Sequence, residues 1–463
     1  MPAKYAIHST TARPRFRPIG KLGIVDWRED CSGCHNCVKR GCVYRLYRDE
    51  ADTLRDEVGF LEYIYQCKGC LSCVQNCTKN ILTRVVNPEY LRLGDRHYTP
   101  DLILSTWYQA ETGKIPVSGS GYGGPFSGPG FDSMWTDMSE IVRPTRDGIH
   151  GREYISTSVD IGRKLPHLSF AGGQLSVDPP PLVETPLPVI FDRIPQPWNR
   201  GAVPAAVATA AAEIGTLAIL GETDIRDNEA SVSGHVVPLL ATPLAAAARS
   251  CASAPFVMIP DGPDAIATQG TLKRDFSAKI VAIRIAASPA VAGRVADLVR
   301  DGAEVIHLVF DSHGMEQGAS RPRPMRDALR DTHGTLVERG IRDEVTLIAS
   351  GGIAAAEHVA KAILCGADLV AIDLPLILAL ECRLCGECRR GQPCPIALEE
   401  IDAGFGTRRI VNLMAAWHSQ LLEMLGAMGI REIRRLRGET GRCMFFEDLE
   451  RDTFGRLFGK RKV

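Results

Sequence analysis

Fifteen cysteines are present, and twelve of them fall into three tight runs. The first is Cys31, Cys34, Cys37 and Cys42; the second is Cys67, Cys70, Cys73 and Cys77; the third is Cys382, Cys385, Cys388 and Cys394, followed by Pro395. Each opens as C-x2-C-x2-C. Three thiolates at that spacing wrap one face of an iron–sulfur cubane, with short intervening residues whose backbone N–H groups point at the sulfides. A zinc site draws four ligands in two pairs, and three thiolates at this spacing crowd a single tetrahedral ion. The chemistry predicted is one-electron transfer through three iron–sulfur clusters. Cys251, Cys365 and Cys443 stand alone and read as small buried hydrophobes.

The first two runs resemble the bacterial two-cluster ferredoxin pattern, with Val43 and Thr78 where that motif usually has Pro. The resemblance implies that the fourth cysteine of each run crosses over. One [4Fe–4S] cluster is then expected on Cys31, Cys34, Cys37 and Cys77, the other on Cys67, Cys70, Cys73 and Cys42.

These ligands need a frame. From about residue 185, short β-branched apolar runs alternate with longer Ala-rich segments. The runs are Leu187–Phe191, Thr216–Leu220, Val236–Leu240, Phe256–Ile259, Ile280–Ile285, Val305–Phe310, Val345–Ser350 and Leu369–Asp373, with helices expected over 202–213, 289–301, 324–339 and 354–365. Eight such units predict an α/β chain with a (β/α)8 TIM barrel, preceded by a two-cluster ferredoxin-like domain. No G-x-G-x-x-G follows the first strand, which speaks against a dinucleotide-binding domain.

Barrel chemistry sits at the C-terminal strand ends. There Ser350-Gly351-Gly352 precedes a helix, a place where backbone N–H groups and a helix dipole suit the phosphate of FMN. Arg284, near the end of the fifth strand, is a candidate partner for the anionic edge of a reduced flavin; an ion pair inside the barrel is the other reading. His313 follows the sixth strand.

The expected organisation is a ferredoxin-like unit over 1–100, a Gly/Pro-rich connector over 101–184, the barrel with its C-terminal Cys-rich cluster segment over 185–405, and a helical tail over 406–463. Residues 118–130 are dense in Gly and Pro, yet nearby Tyr122, Phe126, Phe131 and Trp135 suggest a packed loop. Lys and Arg number 54 against 55 Asp and Glu, a net charge of -1, which argues against nucleic-acid binding. No stretch approaches the length of a membrane span. With no apolar core behind the N-terminal basic residues, a reducing cytoplasm is the expected location.

Together these features resemble the FMN-binding domain of glutamate synthases, in the short form with an N-terminal ferredoxin. The matches are the two N-terminal cysteine runs, Val305 to Ser320, Ile348 to Ala379 and the run from Cys382. The resemblance implies a third cluster beside the flavin, a [3Fe–4S] on Cys382, Cys388 and Cys394, or a [4Fe–4S] if Cys385 joins. It implies an oxidoreductase passing electrons between clusters and FMN, with a redox partner protein or further subunits. The alternative is a non-catalytic electron-transfer subunit or scaffold of a larger redox complex. Several positions depart from the family. No glutaminase domain is visible in this chain, Asp373 stands where a Gly-rich phosphate contact is usual, and Arg284 replaces a Lys. The Gly-, Lys- and Gln-rich substrate loop has no counterpart between Gly221 and Asp264. A substrate other than that of glutamate synthase is therefore expected.

Overall fold

Apolar runs without polar alternation are satisfied only by strands covered on both faces, and a parallel barrel ringed by helices provides that. The computed structural model describes residues 5–16, 19, 21, 24–27, 40–41, 71–80, 82–115, 131, 134–136, 154–165, 169–226, 234–240, 254–453 and 455. Among them, eight parallel strands close into a barrel: β1 (Val189–Phe191), β2 (Ala218–Gly221), β3 (Val236–Leu239), β4 (Val257–Pro260), β5 (Val281–Ala286), β6 (Val305–Val309), β7 (Thr346–Ser350) and β8 (Leu369–Ile372). Each strand pairs with its sequence neighbour, and β8 closes on β1 through Ile372 opposite Phe191. All eight expected runs become strands, with ends differing by at most two residues.

The surrounding helices are α1 (Pro100–Thr112), α2 (Val203–Ile214), α3 (Ala265–Asp275), α4 (Val291–Arg300), α5 (Met325–Glu338), α6 (Ala356–Leu364), α7 (Leu374–Ala379) and α8 (Ala403–Ala427). Helix α4 is amphipathic, burying Val291, Val295, Leu298 and Val299 on one face. Helix α2 starts with Pro204 in its first turn and stops at Gly215 with φ 82°, as helix termini favour. It lies so close to α8 that a Cβ on Gly406 would sit 2.8 Å from that of Ala206. After β2 comes only a five-residue helix, Glu222–Arg226, in keeping with the weak pattern there.

Two elements differ from expectation. Helix α1 occupies the start of the presumed connector; nearly every residue from Leu102 to Glu111 is buried, so no amphipathic stripe marks it. The tail after α8 is not helical throughout, because a strand, Cys443–Phe445, pairs antiparallel with Met134–Thr136. Among the described residues, no helix is long and apolar enough to cross a membrane.

Helix α8 anchors the chain's first residues. The Asn412 amide donates to the carbonyls of Thr10, Ala110 and Glu111 at 2.8–3.0 Å, and its Oδ1 accepts the Thr10 N–H. Arg409, fully buried, donates to carbonyls of Ala379, Ala12 and Trp107. Beyond this docked segment, the Asn87 N–H donates to the Lys21 carbonyl at 3.2 Å and Lys21 Nζ meets Asp101. A short ladder then pairs Ile24–Trp27 with Leu82–Val85. Cys73 and Cys77, both partly buried, lie just before that ladder's second strand; Cys31, Cys34, Cys37, Cys42, Cys67 and Cys70 fall outside the described residues, as do the Gly-rich stretch 118–130 and Cys251.

Candidate functional site

The C-terminal ends of β1, β5, β6, β7 and β8 bring Asp192, Arg284, His307, Ser350 and Asp373 to the barrel mouth. Arg284 crosses the lumen from β5 to the opposite strand. Its Nη1 and Nη2 donate to the two carboxylate oxygens of Asp192 at 2.6 and 3.0 Å, a bidentate pair. Nη1 also donates to His307 Nδ1 at 3.1 Å. Because Nδ1 accepts there, the imidazole proton resides on Nε2, which donates to Ser350 Oγ at 2.8 Å. One chain of hydrogen bonds thus links β1, β5, β6 and β7.

The electrostatics follow from burial. Desolvation penalises the Asp192 carboxylate, but the Arg284 guanidinium outweighs it and holds the acid at about 2. Burial, then Arg284, pushes His307 down to about 3, so its ring is neutral. Asp373 has no comparable help. Burial and the neighbouring Asp192 push it up to about 6, against its own cap on α7, where Oδ1 accepts the Leu374 N–H at 2.6 Å.

The glycines of Ser350-Gly351-Gly352 have a packing reason. Both have positive φ, 98° and 68°; a Cβ on Gly351 would lie 2.5 Å from the Asp311 carbonyl, and one on Gly352 would lie 2.3 Å from the Gly314 nitrogen. The loops after β6 and β7 therefore meet backbone to backbone. Over them lies a strap, residues 94–98. His97 Nε2 donates to the Gly352 carbonyl at 2.8 Å, Asp95 accepts the His97 and Tyr98 N–H groups, and His313 Nε2 lies 3.0 Å from Asp95 Oδ2. At its other end the Gly94 N–H donates to the Arg383 carbonyl at 3.0 Å.

That bond joins the strap to the third cysteine run, which begins nine residues after Asp373. Cys382 is buried and Cys385, Cys388 and Cys394 are partly so. Burial pushes the Cys382 thiol up to about 12, with the other three thiols near enough to add to the rise; the Leu384 N–H, 3.5 Å from Cys382 Sγ, works the other way. The loop is folded by left-handed residues at Glu381, Leu384, Gly386, Gly391 and Ala397, and Arg15 clamps it by donating to Glu381 and the Ile396 carbonyl. Among the described residues, no group of three or more His, Cys, Asp or Glu is arranged around a single ion.

For an FMN, the candidate phosphate position is the N-terminus of helix α6, which has no side-chain cap and opens on a small cleft lined by Ser105, Thr106, Gln109 and Gln420 together with Leu102, Trp417 and the acidic Glu357. At the ring end the charge of Arg284 is already matched by Asp192. Sequence reasoning placed Arg284, Ser350 and the glycines at the mouth but missed Asp192, His307 and the strap. His307 was findable, as a polar residue inside the apolar run VIHLVF, one strand over from Arg284.

The family model described as a conserved region in glutamate synthase matches residues 253–431. An archaeal-type glutamate synthase (NADPH) of Dehalococcoides mccartyi is 28% identical over 481 residues, covering 90% of this chain and 93% of that protein. An archaeal glutamate synthase (NADPH) of Archaeoglobus fulgidus is 26% identical over 509 residues, covering 93% and 96%. Among solved structures, a flavocytochrome b2 mutant with pyruvate bound has a TM-score of 0.42 at 12% identity, covering 72% of this chain and 83% of that one, too distant to carry an argument.

Proposed function

The chain belongs to the glutamate synthase family, and on that premise we propose that it is an oxidoreductase in which iron–sulfur clusters exchange electrons with FMN at the barrel mouth. The observation that carries the reading is the run of four cysteines just after α7, three of whose thiols lie near enough to act on that of Cys382, joined through Arg383 and the strap to the loop holding Gly352. Cys382, Cys385, Cys388 and Cys394 would hold one cluster. Cys31, Cys34, Cys37 and Cys77 would hold a second, and Cys67, Cys70, Cys73 and Cys42 a third. Gly351, Gly352 and the first turn of α6 would hold the FMN phosphate, with Ser350 and Arg284 beneath the ring. FMN supplies the exchange between one-electron clusters and two-electron chemistry. The relatives are named for NADPH; with no dinucleotide fingerprint after the first strand, a partner protein would bring those electrons. Because Asp192 already neutralises Arg284, that cation is not free for a 2-oxo dicarboxylate, which supports a different substrate.

Anaerobically purified protein should carry about eleven to twelve iron atoms per chain and release FMN on acid treatment. Zinc in place of iron would overturn the cluster assignment. Iron without flavin would favour a second reading, an electron-transfer subunit whose barrel is a scaffold. Asp373, buried at the end of β8 and raised by burial and by Asp192, is the observation that supports it.

A further inference from the structure

The lumen layer holds two carboxylates and one guanidinium. Asp192 and Asp373 follow the register partners Phe191 and Ile372 on adjoining strands, and the Asp192 N–H donates to the Ile372 carbonyl at 2.8 Å. The guanidinium of Arg284 reaches Asp192 with both terminal nitrogens and spends a further contact on His307. Asp373 therefore sits buried beside an anion that takes both terminal nitrogens of the cation, leaving Arg284 the smallest of the influences on Asp373. Tyr98, from the strap, covers the same spot. It is wholly buried, its Oη has no hydrogen-bond partner among the described residues, and Asp373 is the foremost charge acting on it. The charged or titratable groups facing Asp373 are thus Asp192, Arg284 and Tyr98, with His307 neutral behind them.

We infer that Asp373 is the acid of the barrel mouth, giving a proton to the heteroatom of a carbonyl or imine reduced there. In that step a reduced flavin, when bound, would supply the hydride to the substrate carbon, and the π pair of C=O or C=N would move onto oxygen or nitrogen. That atom takes the Asp373 proton, and the carboxylate left behind is reprotonated from water. A buried acid raised to about 6 keeps a protonated fraction close to neutrality, as a proton donor needs. The donor role rests on the reductase reading above; the residence of the proton on Asp373 does not.

Infrared titration of the full chain tests the second point directly. Wild-type protein should show a protonated-carboxyl band that disappears as pH rises through about 6, and Asp373→Asn should lack it. In Asp192→Asn the freed guanidinium should turn to Asp373 and move that titration to lower pH. A carboxylate at Asp373 throughout, or a band indifferent to both substitutions, overturns the proposal. For the donor role, dithionite-reduced protein is mixed with 2-oxoglutarate or pyruvate, each with ammonium. Asp373→Asn should slow reoxidation about 100-fold while its iron and flavin contents match wild type. An unchanged rate, or reoxidation of wild type by neither probe, overturns the donor role, whereas missing flavin would overturn the functional reading instead.

Discussion

Arg284 and Asp192 hold each other in a place where neither could stand alone. Removing one member of a buried pair leaves the other uncompensated, at a cost of about 3–5 kcal/mol. Arg284→Met should lower the denaturation midpoint accordingly, since it leaves Asp192 and Asp373 side by side with no cation. The double variant Arg284→Met, Asp192→Leu should recover most of that loss; a double as unstable as the single would mean that packing, not charge, is at stake. The pair's chemistry was half legible in the sequence. Arg284 is a cation among apolar strand residues and stands out, but its partner lies 92 residues earlier on the opposite strand, and lumen-crossing contacts leave no local pattern. Buried His307 and His418 and half-buried His333 set the pH response. His307 at about 3 and His333 and His418 at about 4 are all lowered first by burial, so the folded state binds fewer protons than the unfolded one. Their contribution is fully present above the unfolded value of about 6.5 and is lost as pH falls toward 4. Asp373, raised, works in the opposite sense: its folded-state proton lowers stability as pH rises from about 4 to 6. Asp373→Asn should therefore steepen the rise of stability with pH in that window by about 1.4 kcal/mol per unit. Parallel profiles for the two proteins would show that Asp373 titrates as an ordinary surface acid.

Helix α8 does more than cover the barrel. Asn412 satisfies four backbone groups, two on Thr10 and one each on buried Ala110 and Glu111. Asn412→Ala should cost about 3 kcal/mol, and hydrogen exchange at residues 9–12 should accelerate before that of the barrel strands. Uniform acceleration across the chain would deny the segment its separate anchoring. The strands were readable because a buried parallel strand must be apolar along its whole length. Helix α1 was not, because burial on nearly all sides erases the periodicity that announces a helix. The strap was invisible for a different reason. Its bond to Gly352 spans 255 residues, and its polar sequence Gly94-Asp95-Arg96-His97 looks like any surface turn. The glycines of the loop after β7 were noticed, yet the structure gives them a steric duty toward the loop after β6. Gly351→Val should accordingly destabilise the mouth itself, by several kcal/mol, with or without a phosphate to displace.

At the scale of the whole molecule, the path of the backbone matters more than the division by position. Residues 5–16 lie with α8 and the loop of Cys382, and α1 returns to the same neighbourhood. Between them the chain leaves at Lys21 and comes back at Asn87, and those two residues are hydrogen-bonded at 3.2 Å. The described ends of the stretch bearing the first two cysteine runs thus meet side by side, so that in its connections the stretch is a guest entering and leaving its host through one doorway. Trimming the protein from its N-terminus would strip Arg15 from Glu381 and the Thr10 partners from Asn412 before it freed the barrel. Cutting out residues 22–86 and bridging the gap with a few glycines should give a host that folds alone, and the same doorway could receive a different electron-carrying guest whose own ends lie close together.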